Sequence, residues 1–295
     1  MDLPADFAAF ISRYFSGKMQ KLSVDGGFSC PNRDGTIGHG GCCYCNNSSF
    51  SPGYCRSTPS VTEQLEAGKK FFARKYPSMR YLAYFQSYTG THAELPKLRA
   101  LFEEALSVDG VEGLIVGTRP DCIPDSVLAL LREIAASKFV MVEYGAETSH
   151  DVTLSRINRC HSWQCTVDAV KRTHAAGIPV GLHFILGLPG EDEDMMMQTV
   201  HRINELPVDI VKFHQLQVIR GTRLCADVEA GMESVAEYSV DDYIDLCCRI
   251  VEALRPDIAV ERFVSQAPSE LLVSPRWGLK NYEFTARLRK QLAQR

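Results

Sequence analysis

Short runs rich in β-branched and aromatic residues alternate with longer amphipathic stretches from about residue 21 to residue 263, and this alternation restricts the fold more than any other feature. The strand runs are 22–24, 81–86, 113–117, 139–144, 179–186 and 209–218. Between them apolar residues recur at helical spacing. Val61, Leu65, Phe72 and Tyr76 follow a Ser60-x-x-Glu63 capping box, Leu95, Leu98, Phe102 and Leu106 form a second stripe, and Val240, Ile244, Cys247, Val251 and Leu254 a third. Strands separated by helices pair in parallel through right-handed crossovers. Six such units predict an α/β fold, a partial TIM-like (βα)6 barrel, with 258–263 as an additional strand. Residues 1–235 form the core barrel in this reading, and 236–295 a C-terminal extension packed on it. At 295 residues and 45% hydrophobic composition the chain can bury one large core.

In parallel α/β architectures chemistry gathers where the loops leave the carboxyl ends of the strands. Polar and Gly-rich segments occupy those positions here: Gln86-Ser87-Tyr88-Thr89 after the second strand, Gly117-Thr118-Arg119-Pro120-Asp121 after the third, and Glu143 to Glu147 at the fourth. Gly187-Leu188-Pro189-Gly190-Glu191 follows the fifth strand, and His214-Gln215 lies in the sixth.

The loop after the first strand carries Cys30, Cys42 and Cys45, spaced Cys-x11-Cys-x2-Cys among glycines. Three soft ligands suit an iron–sulfur cluster with one iron left open, since a four-iron cluster closed for electron transfer normally takes four cysteines. An alternative is a four-thiolate zinc site completed by Cys43 or Cys55, although the long first spacing and the lack of a second Cys-x2-Cys knuckle argue against it. Eleven cysteines, an odd number in a chain with no basic, apolar leader over residues 1–15, argue against a disulfide framework and for a reduced, cytoplasmic setting. No run approaches the roughly 18 apolar residues of a membrane span. Cys122, Cys165, Cys247 and Cys248 read as buried inert thiols.

With the cysteine loop on the first unit of a βα series, the chain resembles the radical S-adenosylmethionine (SAM) enzymes, and within them the YhcC-type branch related to the catalytic subunit of Elongator. The resemblance rests on Cys-Pro-Asn-Arg-Asp-Gly-Thr at 30–36, Gly-Gly-Cys-Cys-Tyr-Cys at 40–45, Gly-Thr-Arg-Pro-Asp at 117–121, Arg156-Ile-Asn-Arg159, His183-Phe-Ile-Leu-Gly-Leu-Pro-Gly-Glu191 and Gly221-Thr222. It implies a barrel of the radical SAM type and a [4Fe–4S] cluster on Cys30, Cys42 and Cys45, whose open iron the amino and carboxylate groups of SAM chelate. It further implies reductive cleavage of SAM to a 5′-deoxyadenosyl radical that takes hydrogen from substrate.

Carried over by the same resemblance, Tyr44 packs near adenine or plugs the cluster's flank, Glu143 binds the ribose hydroxyls or amino group of SAM, and Gln86 meets its methionine moiety. Gly187 lets the backbone approach the adenosine. Arg119 and Arg156 can neutralise carboxylates of SAM or substrate, or form structural salt bridges. His183, Lys212 and His214 line the barrel, with Arg119 and His214 the candidates for direct catalysis. Cys43, Glu147 and Cys160 depart from what related sequences carry.

Kinship with Elongator suggests tRNA as the substrate, at the side chain on carbon 5 of the wobble uridine, with flavodoxin or ferredoxin as electron donor. The formal net charge of −4 gives no global attraction to nucleic acid. Residues 276–295, however, hold six Lys or Arg against the single acid Glu283, with Trp277 and Tyr282 available to stack on bases. Radical chemistry on a small metabolite is the alternative, the terminal helix then merely closing the barrel.

Overall fold

The computed structural model describes residues 3–56, 60–73 and 79–295, so that Tyr76 of the first helical stripe lies outside the described residues. Strands β1 (Met19–Val24), β2 (Arg80–Phe85), β3 (Val111–Thr118), β4 (Phe139–Glu147), β5 (Val180–Leu186) and β6 (Ile210–Gln215) pair in parallel in that order. Two short strands follow in sequence, β7 (Val218–Ile219) and β8 (Ala259–Val260), and then β9 (Leu272–Ser274). The chain of β8 joins the main sheet beside β6, while β7 and β9 form a separate antiparallel pair.

The sheet curls into a partial barrel, because Lys21 of β1 reaches Glu261, just beyond β8, at 2.5 Å. Strand alternation explains how both faces are filled. Leu82, Tyr84, Ile115, Met141, Ile210 and Ala259 point inward and are capped by Phe10 and Ile11 of the short helix Phe7–Ile11, which plugs the end at which the strands begin. Outward residues such as Leu22, Phe85, Leu114, Val142, Leu182 and Phe213 pack under the crossover helices, among them Val61–Ala73, Leu95–Ser107 and Asp125–Ala135. Burial of one Phe or Leu in such a layer contributes about 1.5–3 kcal/mol. The expected capping box forms, with Glu63 N–H donating to Ser60 Oγ at 3.1 Å.

Of the boundaries that differ from the sequence expectation, three bear on the site. The run 209–218 is not one strand: Gln215 accepts from Ser265 N–H at 3.0 Å and donates to Ser265 O at 3.1 Å, and beyond it the chain leaves the sheet to pair with β9. The fourth strand runs past 144 to Glu147, through a register shift at Gly145 to Glu147, so Glu143 lies inside the strand rather than at its end. The run 258–263 shortens to Ala259–Val260, although Glu261 N–H and Arg262 O still bond to β6 at Val211 and Phe213. Among the described residues no helix is long and apolar enough to cross a membrane.

Candidate active site

The open end of the partial barrel holds a cavity of about 220 Å³ lined by Cys30, Cys42 and Cys45 together with residues from the carboxyl ends of β2 to β6. The loop bearing the cysteines is built on short backbone bonds. Arg33 and Asp34 N–H both donate to Cys30 O, Cys45 N–H donates to Cys42 O at 3.1 Å, and Gly41 N–H donates to Asn32 O at 2.8 Å. Gly40 and Gly41 turn the chain into Cys42 with φ of 78° and 76°, a region that costs an L-residue energy. Asn32 is fully buried; its amide donates to Asn158 O and lies 3.8 Å from Cys42 Sγ.

Spacing alone left Cys43 and Cys55 as rivals, and local packing separates them. Cys43 N–H donates to Ile157 O and Cys43 O accepts from Leu224 N–H, and this pairing accompanies a side chain packed among Leu154, Ile157, Ile185 and Leu188. Burial pushes its thiol up to about 11. Cys55 turns to Ser23 O at 3.1 Å. Neither lines the cavity. Among the described residues no three His, Cys, Asp or Glu side chains converge to hold a single metal ion, so the zinc alternative lacks its tetrahedral donor set. A cubane differs, since each cysteine binds a different iron and the sulfurs need not meet at one point.

The surroundings of the three thiols fit an anionic cluster with a chelated amino acid. Arg159 is buried with Nη1 3.6 Å from Cys42 Sγ, Nη2 2.5 Å from Gly145 O and 3.4 Å from Glu147. Arg119 is only 2% exposed; it is clamped by Asp121 through two bonds of 2.8 and 2.7 Å, and also donates to Arg159 O. One N–H group on each remains buried without an acceptor, Arg119 Nη1 and Arg159 Nε, and both residues line the cavity. An unpaired buried donor costs about 1–3 kcal/mol unless a ligand accepts from it.

Deeper inside the barrel lies a charged network. Glu143 is 1% exposed, and its carboxylate takes Lys21 at 2.6 Å, Tyr84 OH at 2.7 Å, His183 Nε2 at 2.6 Å and Lys212 at 3.1 Å. Burial alone would raise Glu143, yet the two lysines and His183 hold it well below the usual carboxylate range. Lys212 also meets Glu261 at 3.2 Å. Burial drives Lys212 down, whereas at Lys21 the two carboxylates outweigh burial and raise it. His183 is lowered by burial and Lys212, and His214 falls to about 3 through burial and Arg262, so both imidazoles are neutral near pH 7.

Of the residues singled out from sequence, Cys30, Cys42, Cys45, Tyr44, Gln86, Arg119, Glu143, His183 and His214 line this one cavity. Arg156 and Gly187 do not. Arg156 pairs with Glu233 at 2.7 Å, and Gly187, with φ of 84°, sits against Tyr238. The sequence reading missed Lys21, Tyr84, Glu261 and Arg262. The sequence signal for Lys21 was weak, since it stands between Gln20 and Leu22 just ahead of the run 22–24, and only its turn into the barrel creates the demand for a charged partner.

A model of the Radical SAM superfamily matches residues 34–203, and one of the Radical_SAM C-terminal domain matches 208–294. The chain is 37% identical over 285 residues to YtqA of Bacillus subtilis, covering 97% of this chain and 88% of that protein. It is 39% identical over 272 residues to YhcC of Escherichia coli K12, covering 92% and 86%. A shorter match, 30% over 114 residues, reaches the tRNA uridine(34) acetyltransferase of Methanocaldococcus jannaschii and covers 38% of this chain and 20% of that one. Among solved structures, the Elp3 protein of Methanocaldococcus infernus superposes with a TM-score of 0.70 at 16% identity, over 95% of this chain and 64% of that chain, a likeness of fold.

Proposed function

The chain belongs to the radical SAM superfamily, whose enzymes use a [4Fe–4S] cluster and S-adenosylmethionine, and from that premise we propose that it modifies the wobble uridine of tRNA. Cys30, Cys42 and Cys45 hold the cluster. Bound together, cluster and SAM would supply hydrogen-atom abstraction from substrate by an adenosyl radical, with a flavodoxin or ferredoxin as the source of reducing electrons. Tyr44 packs beside the adenine. The open donors of Arg119 and Arg159 receive the SAM carboxylate. Glu147, at the carboxyl end of β4 and lining the cavity, is better placed for the ribose or amino group than Glu143, which four donors already surround.

The observation that carries the RNA reading is the exposed cationic surface of the helix Asn281–Leu292 and the residue before it. Lys280, Arg287, Arg289 and Lys290 are all exposed and make no ion pair with any described residue, and Tyr282 is 67% exposed beside them. Unpaired cations interleaved with an aromatic ring suit a phosphate backbone and an unstacked base. Arg276, Trp277 and Tyr238 line a separate hollow that has Leu216 in common with the cavity. The partial match to a tRNA uridine(34) acetyltransferase points the same way.

The test is anaerobic incubation of the reduced, cluster-loaded protein with SAM and bulk tRNA from a strain lacking the gene, followed by nucleoside mass spectrometry. A SAM-dependent mass change confined to uridine 34 is expected. Cleavage of SAM with no change in any tRNA nucleoside favours the small-metabolite alternative.

A further inference from the structure

Arg262 follows β8 and lines the inner part of the cavity, and it also lines a second hollow of about 270 Å³ between β1 and β8 together with Lys21, Ser23, Tyr84, Lys212 and Glu261. Unlike the neighbouring buried cations, it is unanswered. Lys21 and Lys212 share Glu143 and Glu261, Arg119 has Asp121, and Arg159 has Glu147. Arg262 makes no ion pair and no side-chain hydrogen bond with any described residue, and its Nε is buried without an acceptor.

The local charge balance points in the same direction. Lys21, Lys212 and Arg262 are three basic side chains against the two carboxylates Glu143 and Glu261, both of which the lysines already engage, so the basic groups are in excess by one. A guanidinium with a buried free N–H beside such an excess is preorganised for an anionic oxygen group, which it can grip through two parallel bonds. The cofactor does not meet this demand. Its carboxylate belongs beside the cysteines with Arg119 and Arg159, whereas the titratable neighbours of Arg262 are Tyr84, Lys212, His214 and Glu261.

We infer that Arg262 is the anion anchor of the substrate site, binding a carboxylate or phosphate of the molecule to be modified at the inner end of the cavity. This deepens the proposed function by naming a chemical group the substrate must carry, and it stands or falls without RNA. Ser265, Gln217 and His214 line the cavity with it and supply neutral polar contacts around the same group.

The experiment follows the Nε–H resonance of Arg262 in ¹⁵N-labelled, cluster-loaded, SAM-bound full-length protein, assigned by its loss in Arg262→Lys. Inorganic phosphate and acetate are titrated separately at ionic strength held constant with chloride. A saturable shift with one or both anions is expected, and their relative affinities distinguish a phosphate from a carboxylate source. Thermal stabilisation by the preferred anion should need at least tenfold more anion in Arg262→Gln. A resonance that responds to neither anion beyond chloride, or equal stabilisation of Arg262→Gln and the native protein, overturns the inference. No RNA is present, so neither result depends on the tRNA assay, and failure of that assay leaves the anion site intact.

Discussion

Arg159 presses its guanidinium against Cys42, with Nη1 3.6 Å from Sγ, while Nη2 anchors to Gly145 O at 2.5 Å. Burial opposes the charge, but Cys42 and Glu147 reverse that effect and hold the guanidinium charged well above its ordinary range. A fixed cation beside a ligand sulfur stabilises the added electron of a reduced cluster. Arg159→Gln should therefore move the cluster potential negative by tens of millivolts, read by an EPR-monitored redox titration. An unchanged potential with full iron content would show that this cation does not tune the cluster. Cys55→Ala should leave iron content unaltered, whereas Cys42→Ala should lose it.

The barrel and the meeting of the three cysteines at one cavity were legible because each is written in local pattern: alternating apolar periods in the one case, three thiols within a single Gly-rich loop in the other. Glu143 was legible as a buried carboxylate in need of a partner, but its partners were not. Lys21, Lys212 and Tyr84 come from three other strands, and only parallel register and sheet curl bring them within 3.1 Å of the carboxylate. For Arg156 the structure shows the salt bridge that the sequence left open beside a carboxylate-binding role. Its motif neighbour Arg159 enters the cavity, while Arg156 turns outward to Glu233, 77 residues away in sequence.

Removing the Glu143 charge should be costly at neutral pH. Glu143→Gln leaves Lys21 and Lys212 sharing Glu261, and breaking a buried pair in this way costs about 3–5 kcal/mol. The folded carboxyl is depressed, so its stabilisation is complete above the unfolded value of 4.5 and disappears as pH falls through the folded one. Thermal melts should separate the native and Gln proteins widely at pH 7. The gap should narrow below pH 4.5, and a constant gap would argue against the linkage.

His214 has the opposite cation logic. Burial and Arg262 hold its imidazole at about 3 against an ordinary 6.5, so the unfolded chain takes up the proton first and stability falls as pH drops through that window. Each such imidazole contributes a slope of at most about 1.4 kcal/mol per pH unit. His214→Asn should flatten the pH dependence of the melting temperature between pH 6.5 and 3. His161, also lowered to about 3 by burial and Arg159, should retain its own share.

Among the described residues, Tyr88, Glu147, Asn158 and Cys160 are the non-glycine positions with φ between 57° and 68°. Two line the cavity, while Asn158 donates to His39 O and Gly41 O and so clamps the cysteine loop, with Cys160 3.2 Å from Asn32. Strain gathered around one site is retained where the side chain is needed. Tyr88 is the clearest case, since its N–H is held by Asn47 Oδ1 at 3.2 Å while its ring stays 42% exposed at the cavity wall. Tyr88→Gly relieves the backbone, and the gain should exceed the added unfolded-state entropy by about 0.5 kcal/mol. The variant should melt slightly higher yet turn over substrate more slowly, while SAM binding is unchanged. A variant both destabilised and fully active would mean that the ring serves packing rather than the site.

Salt dependence can resolve how the terminal helix takes part. If Arg287, Arg289 and Lys290 each neutralise one phosphate, binding of an anticodon stem-loop should weaken linearly in log K against log salt. Each Ala substitution should then lower the slope by about 0.7–0.9 and affect all RNA sequences alike. Arg295 is the internal control, because it is already engaged by Asp245 at 2.8 Å and Glu252 at 3.3 Å. Its removal frees those acids and should change the slope little. If the triple Ala variant binds the stem-loop with the native slope, phosphate contact lies elsewhere on the molecule, and the helix serves only to cover Val240–Ala253 through Phe284, Leu288 and Leu292.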